Sequence, residues 1–166
     1  MSSEIASPPS PAGDPSPAWA STSRFWQRVQ RRYADVAALL PPGQPTASTM
    51  SQALAQLLAQ GQELGAALRI LRQLVVARVL ERDCAGQASL AEVTASMTAL
   101  AELALDAACT QAQTVLSQRH GQPQGPHGQV VPLWIVGMGK LGPRELNVSS
   151  DIDLIYVYGH CGDTTG

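Results

Sequence analysis

From Ser23 onward, apolar side chains return at steps of three and four: Phe25, Trp26, Val29, Tyr33, Val36, Ala37 and Leu40, with Arg24, Arg28, Arg31 and Arg32 between them. That period predicts a helix running to Leu40, stopped by Pro41-Pro42-Gly43. Beyond Pro45, Thr49 or Ser51 can cap a second helix carrying Leu54, Leu57 and Leu58, with Gly61 and Gly65 marking a break or a close helix crossing. Leu68, Leu71, Leu74, Val75, Val79 and Leu80 form the stripe of a third helix that ends near Cys84-Ala85-Gly86, where Gly86 suits a C-cap. Ser89 and Glu92 have capping-box spacing, and Val93, Met97, Leu100, Leu103, Leu105, Ala108 and Val115 then sustain a long helix towards Arg119. Antiparallel helices packed through Ala and Leu satisfy this pattern.

The period changes after Arg119. Residues 120–129 are rich in Gly, Pro, Gln and His and read as a linker loop. Val130–Val136 and Asp153–Tyr158 are short runs of strand-forming residues. Residues 1–22 open with five Ser and five Pro between positions 2 and 17 and read as a disordered leader. The expected architecture is therefore α+β: leader 1–22, helical region 23–119, linker 120–129, and strands with a glycine turn over 130–166.

Composition narrows the classes. With 45% apolar residues and a formal net charge of −2, the chain is neither wholly disordered nor a strongly basic nucleic-acid binder. The arginines of the first helix read as a solvated face. Cys84, Cys109 and Cys161 are three in number and share no C-x-x-C pair, so neither a disulfide framework nor a zinc site is indicated. His120 and His127 have no neighbouring ligand set and read as loop residues. No signal peptide and no transmembrane run is visible, which points to the cytoplasm.

The chemistry concentrates near the end. Gly137-Met138-Gly139-Lys140-Leu141-Gly142 follows a strand and matches a Gly-x-Gly-x-x-Gly dinucleotide fingerprint. A nicotinamide-binding unit, however, needs a crossover helix of a dozen or more residues, and only Pro143–Ser150 separate this turn from Asp151 and Asp153. Two carboxylates two positions apart on one strand would share a face, with Cα atoms about 6.6 Å apart. They would repel, and a divalent cation such as Mg²⁺ would remove that conflict. In this reading Gly137, Gly139 and Gly142 let backbone approach a phosphate, and a short helix starting near Pro143 aims its N–H groups at it. Lys140 either adds a point charge there or is a solvated turn residue. Ser149 and Ser150 either bond the carboxylates or phosphate, or shape the turn at the start of the strand. Taken alone, Asp151 and Asp153 fit a solvated strand start as well as a metal pair; the glycine turn tips the balance.

These same residues, Gly137–Gly142, Glu145-Leu146-Asn147 and Ser149-Ser150-Asp151-Ile152-Asp153-Leu154-Ile155, closely resemble the signature of the bifunctional glutamine synthetase adenylyltransferase and adenylyl-removing family. The stretch from Ser51 to Arg119 is similar to the helical region preceding that signature; residues 1–22 lie outside the resemblance. The resemblance implies a DNA polymerase β-like nucleotidyltransferase domain, here truncated, one of two in a longer chain. The Glu-Leu-Asn wording is similar to the N-terminal copy, which removes AMP from a glutamine synthetase tyrosine by phosphorolysis and releases ADP. It implies Asp151 and Asp153 as the catalytic, Mg²⁺-binding pair, beside the candidate nucleotide- and phosphate-binding residues read above from the turn, Gly137, Gly139, Lys140, Gly142, Ser149 and Ser150. Implied partners are glutamine synthetase, ATP or ADP, phosphate, and a PII-type regulatory protein acting through regions outside this chain, with neither nucleic acid nor membrane. Pro143 departs from the family, where a second glycine is usual. The third carboxylate would come from a later strand, so the chain is expected to be inactive alone. The rival readings are a helical protein-interaction module without catalysis and a nicotinamide-binding protein.

Overall fold

The computed structural model describes residues 18–166. Five helices come first: α1 (Ala18–Thr22), α2 (Arg24–Arg32), α3 (Ala47–Ala59), α4 (Leu64–Cys84) and α5 (Leu90–His120), with a 3-10 helix at Ala34–Leu39 between α2 and α3. Four short strands follow: β1 (Pro123–Gln124), β2 (Leu133–Gly137), β3 (Leu154–Tyr158) and β4 (Asp163–Thr164). β2 pairs antiparallel with β3, and β1 with β4. Helices followed by antiparallel strands make the chain α+β. No helix among the described residues is long and apolar enough to cross a membrane.

The core forms where α2, α3, α4 and the first half of α5 meet. Val29, Leu40, Met50, Leu57, Leu71, Leu74, Val75, Met97 and Leu100 are buried in one cluster. A buried hydroxyl ties the layers together: Ser96 Oγ on α5 donates to Pro45 O at 2.9 Å. Arg78 Nε on α4 donates to Leu40 O at 3.1 Å, fixing the chain before α3.

Several boundaries differ from the periodicity. The first predicted helix breaks at Tyr33, whose N–H still reaches Val29 O at 2.9 Å before the chain tightens into the 3-10 turn. The apolar spacing continues across this break because three-residue steps suit both helix types. α3 is capped by Thr46, not by Thr49 or Ser51. Thr49 is instead the return partner, its Oγ1 accepting from Thr46 N–H at 3.0 Å. Gly61 takes φ +84° in the turn before α4, whereas Gly65 lies inside that helix. Ala18–Thr22, expected as the end of the leader, is helical, and the rest of the leader lies outside the described residues. α5 leaves the core after its first half, so Val115, expected on its apolar stripe, is 56% exposed. Within the expected linker, Pro123–Gln124 pairs with Asp163–Thr164.

The capping box at Ser89 is present: Ser89 Oγ accepts from Glu92 N–H at 3.2 Å, and Glu92 Oε2 accepts from Ser89 N–H at 2.8 Å. That backbone donation, assisted by the charge of Arg82 and opposed by partial burial, holds the Glu92 carboxyl below its ordinary value. A carboxyl depressed in the folded state stabilises above the unfolded value of 4.5, and the contribution is lost as pH falls through the folded pKa. Ser89→Ala is expected to lower stability by about 1 kcal/mol at pH 7. Glu92→Gln is expected to flatten the acid limb of a stability-versus-pH curve below 4.5, measured by urea unfolding.

Candidate functional site

The β2–β3 hairpin carries the residues singled out by the sequence. Its register pairs Val136 with Ile155 and Gly137 with Leu154, and the ladder continues past the strands through Met138 N–H donating to Asp153 O at 2.9 Å. Antiparallel pairing is incompatible with the parallel crossover of a dinucleotide-binding unit.

The three glycines have separate reasons to be small. A Cβ at Gly137 would stand 2.8 Å from Leu141 Cγ, and one at Gly142 would stand 3.1 Å from Gly137 O. Gly139 adopts φ +55°, and a Cβ there would lie 3.7 Å from Asp153 Oδ2, so the turn and that carboxylate are neighbours. The helix expected near Pro143 is not formed. Instead Leu141 N–H donates to Met138 O at 3.1 Å, Arg144 N–H to Leu141 O at 3.1 Å and Glu145 N–H to Lys140 O at 2.8 Å, with Arg144 at φ +64°. Consecutive tight turns occupy the donors that a helix N-terminus would leave free.

This turn is anchored to the helices. Leu141 and Leu146 are buried in the helical core, and Val148 and Leu154 pack against it. Arg72 Nη2 on α4 donates to Val148 O at 3.4 Å, and Arg144 pairs with Glu102 on α5. Because Leu141 is only 7% exposed, it cannot swing away from a new methyl group. Gly137→Ala is therefore expected to cost about 1–3 kcal/mol through overpacking. Adding Leu141→Ala should remove that clash, so the double variant should unfold in urea no earlier than Leu141→Ala alone.

Asp151 and Asp153 stand before β3 instead of on it, both exposed. The turn ends only at Ser150, which leaves these residues to bring the chain into register. Ser149 and Ser150 face Asn147: Ser149 N–H, Ser149 Oγ and Ser150 Oγ lie 3.1, 3.2 and 2.8 Å from Asn147 Oδ1. The serines thus shape the turn and make no bond to either aspartate among the described residues. Lys140 is exposed, with no side-chain partner among them. Two open grooves, of about 940 and 660 Å³, lie on the α5 side. The second is lined by Glu102, Asp106, Trp134, Gly137 and Gly142, and neither includes Lys140 or the aspartates.

As a donor set, Asp151 and Asp153 suit a hard dication: both are carboxylates, solvent-open, and in no ion pair among the described residues. They supply two side chains only, since no group of three or more His, Cys, Asp or Glu that could hold a metal occurs among the described residues. Leu141, Leu146 and Asn147 belong to the motif that carries the resemblance, but the sequence assigned them no structural role, and the Arg144–Glu102 pair was not singled out from it. Asn-Val-Ser-Ser carries an Asx-turn signal that could have marked Asn147; the anchoring leucines have no local signature.

Residues 21–166 match the family model described as glutamate-ammonia ligase adenylyltransferase. Among curated proteins, the bifunctional glutamine synthetase adenylyltransferase/adenylyl-removing enzyme of Burkholderia mallei is 49% identical over 127 residues, 73% of this chain and 14% of that protein. The protein of the same name from Aromatoleum aromaticum is 49% identical over 150 residues, 89% of this chain and 16% of its own. That of Ralstonia nicotianae is 55% identical over 106 residues, 63% and 11% respectively. The chain thus matches only about one seventh of the length of such relatives.

Proposed function

Because the chain belongs to the glutamate-ammonia ligase adenylyltransferase family, we propose that it is part of a metal-dependent nucleotidyltransferase that controls glutamine synthetase by adenylylating and deadenylylating a tyrosine. The segment belongs in this reading to the N-terminal, deadenylylating domain, of DNA polymerase β-like fold, in a cytoplasmic enzyme. One observation carries it: the antiparallel hairpin sets Gly139 of the glycine turn beside the Asp153 carboxylate, 3.7 Å from a Cβ position. Glycine at that point leaves room for a phosphate oxygen next to an acid.

In the reaction, an oxygen of inorganic phosphate attacks the phosphorus of the tyrosyl-AMP. A new P–O bond forms, the bond to the tyrosine oxygen breaks, that oxygen takes up a proton, and ADP leaves. Asp151 and Asp153 would hold Mg²⁺, which when bound screens the phosphate charges and steadies the leaving oxygen. The chain's own residues supply the remainder. Gly137, Gly139 and Gly142 admit the phosphate, Lys140 adds a positive charge free to swing towards it, and the buried Leu141 and Leu146 keep the turn in place. ATP for the opposite reaction and a PII-type regulator would engage other parts of the enzyme, and the 166-residue chain is inactive alone. Release of ADP from adenylylated glutamine synthetase and phosphate by this purified chain would refute that inactivity. A second reading, a helical interaction module with solvated aspartates, is favoured by the absence of Asp151 and Asp153 from either groove.

Mn²⁺ titrated into the ¹⁵N-labelled chain separates the two. The nucleotidyltransferase reading expects paramagnetic broadening centred on the amides of Gly139, Asp151 and Asp153, lost in Asp151→Asn and Asp153→Asn. Broadening spread evenly over all exposed acids supports the interaction module.

A further inference from the structure

We infer that Asn147 is the positioning residue of this site, holding the turn that presents Asp151; the inference rests on the metal reading above for its purpose but not for its geometry. A backbone N–H can only donate, so the atom 3.1 Å from Ser149 N is the carbonyl Oδ1 of Asn147, which fixes the amide orientation. Oδ1 has no proton to give, and therefore the Ser149 and Ser150 hydroxyls, at 3.2 and 2.8 Å, must both donate to it. Each hydroxyl has one proton. In this arrangement neither serine keeps a donor for a phosphate oxygen, and both offer only lone pairs. Of the two roles the sequence left open for Ser149 and Ser150, the bonds to Asn147 Oδ1 are those of the turn.

Asn147 is well placed to set the turn. Its neighbours on either side are anchored: Leu146 is 4% exposed in the helical core, and Val148 packs against that core while its carbonyl accepts from Arg72 Nη2. Ser150 N–H donates to Asn147 O at 3.2 Å, and Asn147 N–H lies 3.4 Å from Ser150 Oγ, so the residue also closes the turn through its backbone. Asp151 follows directly. Asp153 has a second restraint, the bond from Met138 N–H to its carbonyl, whereas the structure gives Asp151 none of its own. Removing the Asn147 amide should therefore release Asp151 more than Asp153.

The test uses the whole 166-residue chain, ¹⁵N-labelled, as wild type, Asn147→Ala and Asn147→Asp. Loss of one acceptor is expected to speed hydrogen exchange at the Ser149 amide roughly five-fold in Asn147→Ala. Aspartate retains the acceptor oxygen and should restore slow exchange, a rescue that side-chain volume alone would not explain. Mn²⁺ should broaden the Asp151 amide less in Asn147→Ala than in wild type, with Asp153 less affected. Because the new carboxylate could itself attract Mn²⁺, Asn147→Asp is judged by exchange alone. Unchanged Ser149 exchange in Asn147→Ala, or no rescue by aspartate in a folded chain, would overturn the inference. If wild type shows no Mn²⁺ broadening at the aspartates, the metal reading fails, and the role of Asn147 is still decided by Ser149 exchange.

Discussion

Leu71→Ala is expected to lower the unfolding free energy of the chain by about 2–5 kcal/mol. Leu71 lies on α4 at 0% exposure, in the same cluster as Met50 and Leu57, also at 0%. Truncating it removes buried methyl groups and leaves a cavity between helices whose packing allows little collapse, so the transfer and cavity costs add. An ordinary domain has only about 5–15 kcal/mol in total. The variant should therefore unfold at a much lower urea midpoint with an unchanged slope. Leu116→Ala is the control: it sits on the half of α5 that leaves the core and is 56% exposed. Its cost should stay within about 0.5 kcal/mol. Equal losses for the two variants would show that α4 is not the centre of the core.

That contrast also shows where the sequence was readable. Periodicity identified the buried stripe of α4 because Leu71, Leu74 and Val75 face neighbouring helices over its length. The same periodicity runs on along α5 to Val115, although the neighbours that would bury it end sooner. An apolar stripe records which face could be covered, and the packing decides how far. Caps were legible where the motif is unambiguous, as at Ser89 and Glu92. They were misplaced where several hydroxyls compete, because Thr46, Thr49 and Ser51 are all capable acceptors and only the direction of the chain after Pro45 selects Thr46.

For the candidate site, spacing alone excluded a parallel crossover, since too few residues separate Gly142 from Asp151; the antiparallel register itself is seen only in the structure. What spacing could not show was the content of the turn. Gly137 is small because Leu141 presses on it, and Leu141 is there because the helical core accepts it. The aspartates fall short of the strand because a turn built on Asn147 takes up the preceding residues. These are contacts between residues distant in sequence, or between side chain and backbone, and neither leaves a period.

If the proposed deadenylylating role holds, exchanging this segment into the Burkholderia mallei enzyme in place of the matching stretch, and then introducing Asp151→Asn or Asp153→Asn, is expected to reduce phosphate-dependent ADP release at least about 100-fold. A metal-bound reaction centre is worth several kcal/mol of transition-state stabilisation, and each 1.36 kcal/mol is about tenfold in rate. Asparagine preserves size and most hydrogen bonding while removing the charge that the proposed reading assigns to holding a dication. Stability should not fall with activity. Both aspartates are exposed and in no ion pair among the described residues, so the unfolding free energy of the chain should change by less than about 0.5 kcal/mol. On the same reading Lys140→Ala should cost less, about tenfold, as the loss of one solvent-screened point charge near the proposed phosphate. Activity retained in both aspartate variants would leave the hairpin as a packing element of the enzyme, and the catalytic carboxylates would have to lie elsewhere in the full protein. Activity lost together with a collapsed unfolding midpoint would make the aspartates structural. Only loss of rate with stability intact assigns them to the chemistry.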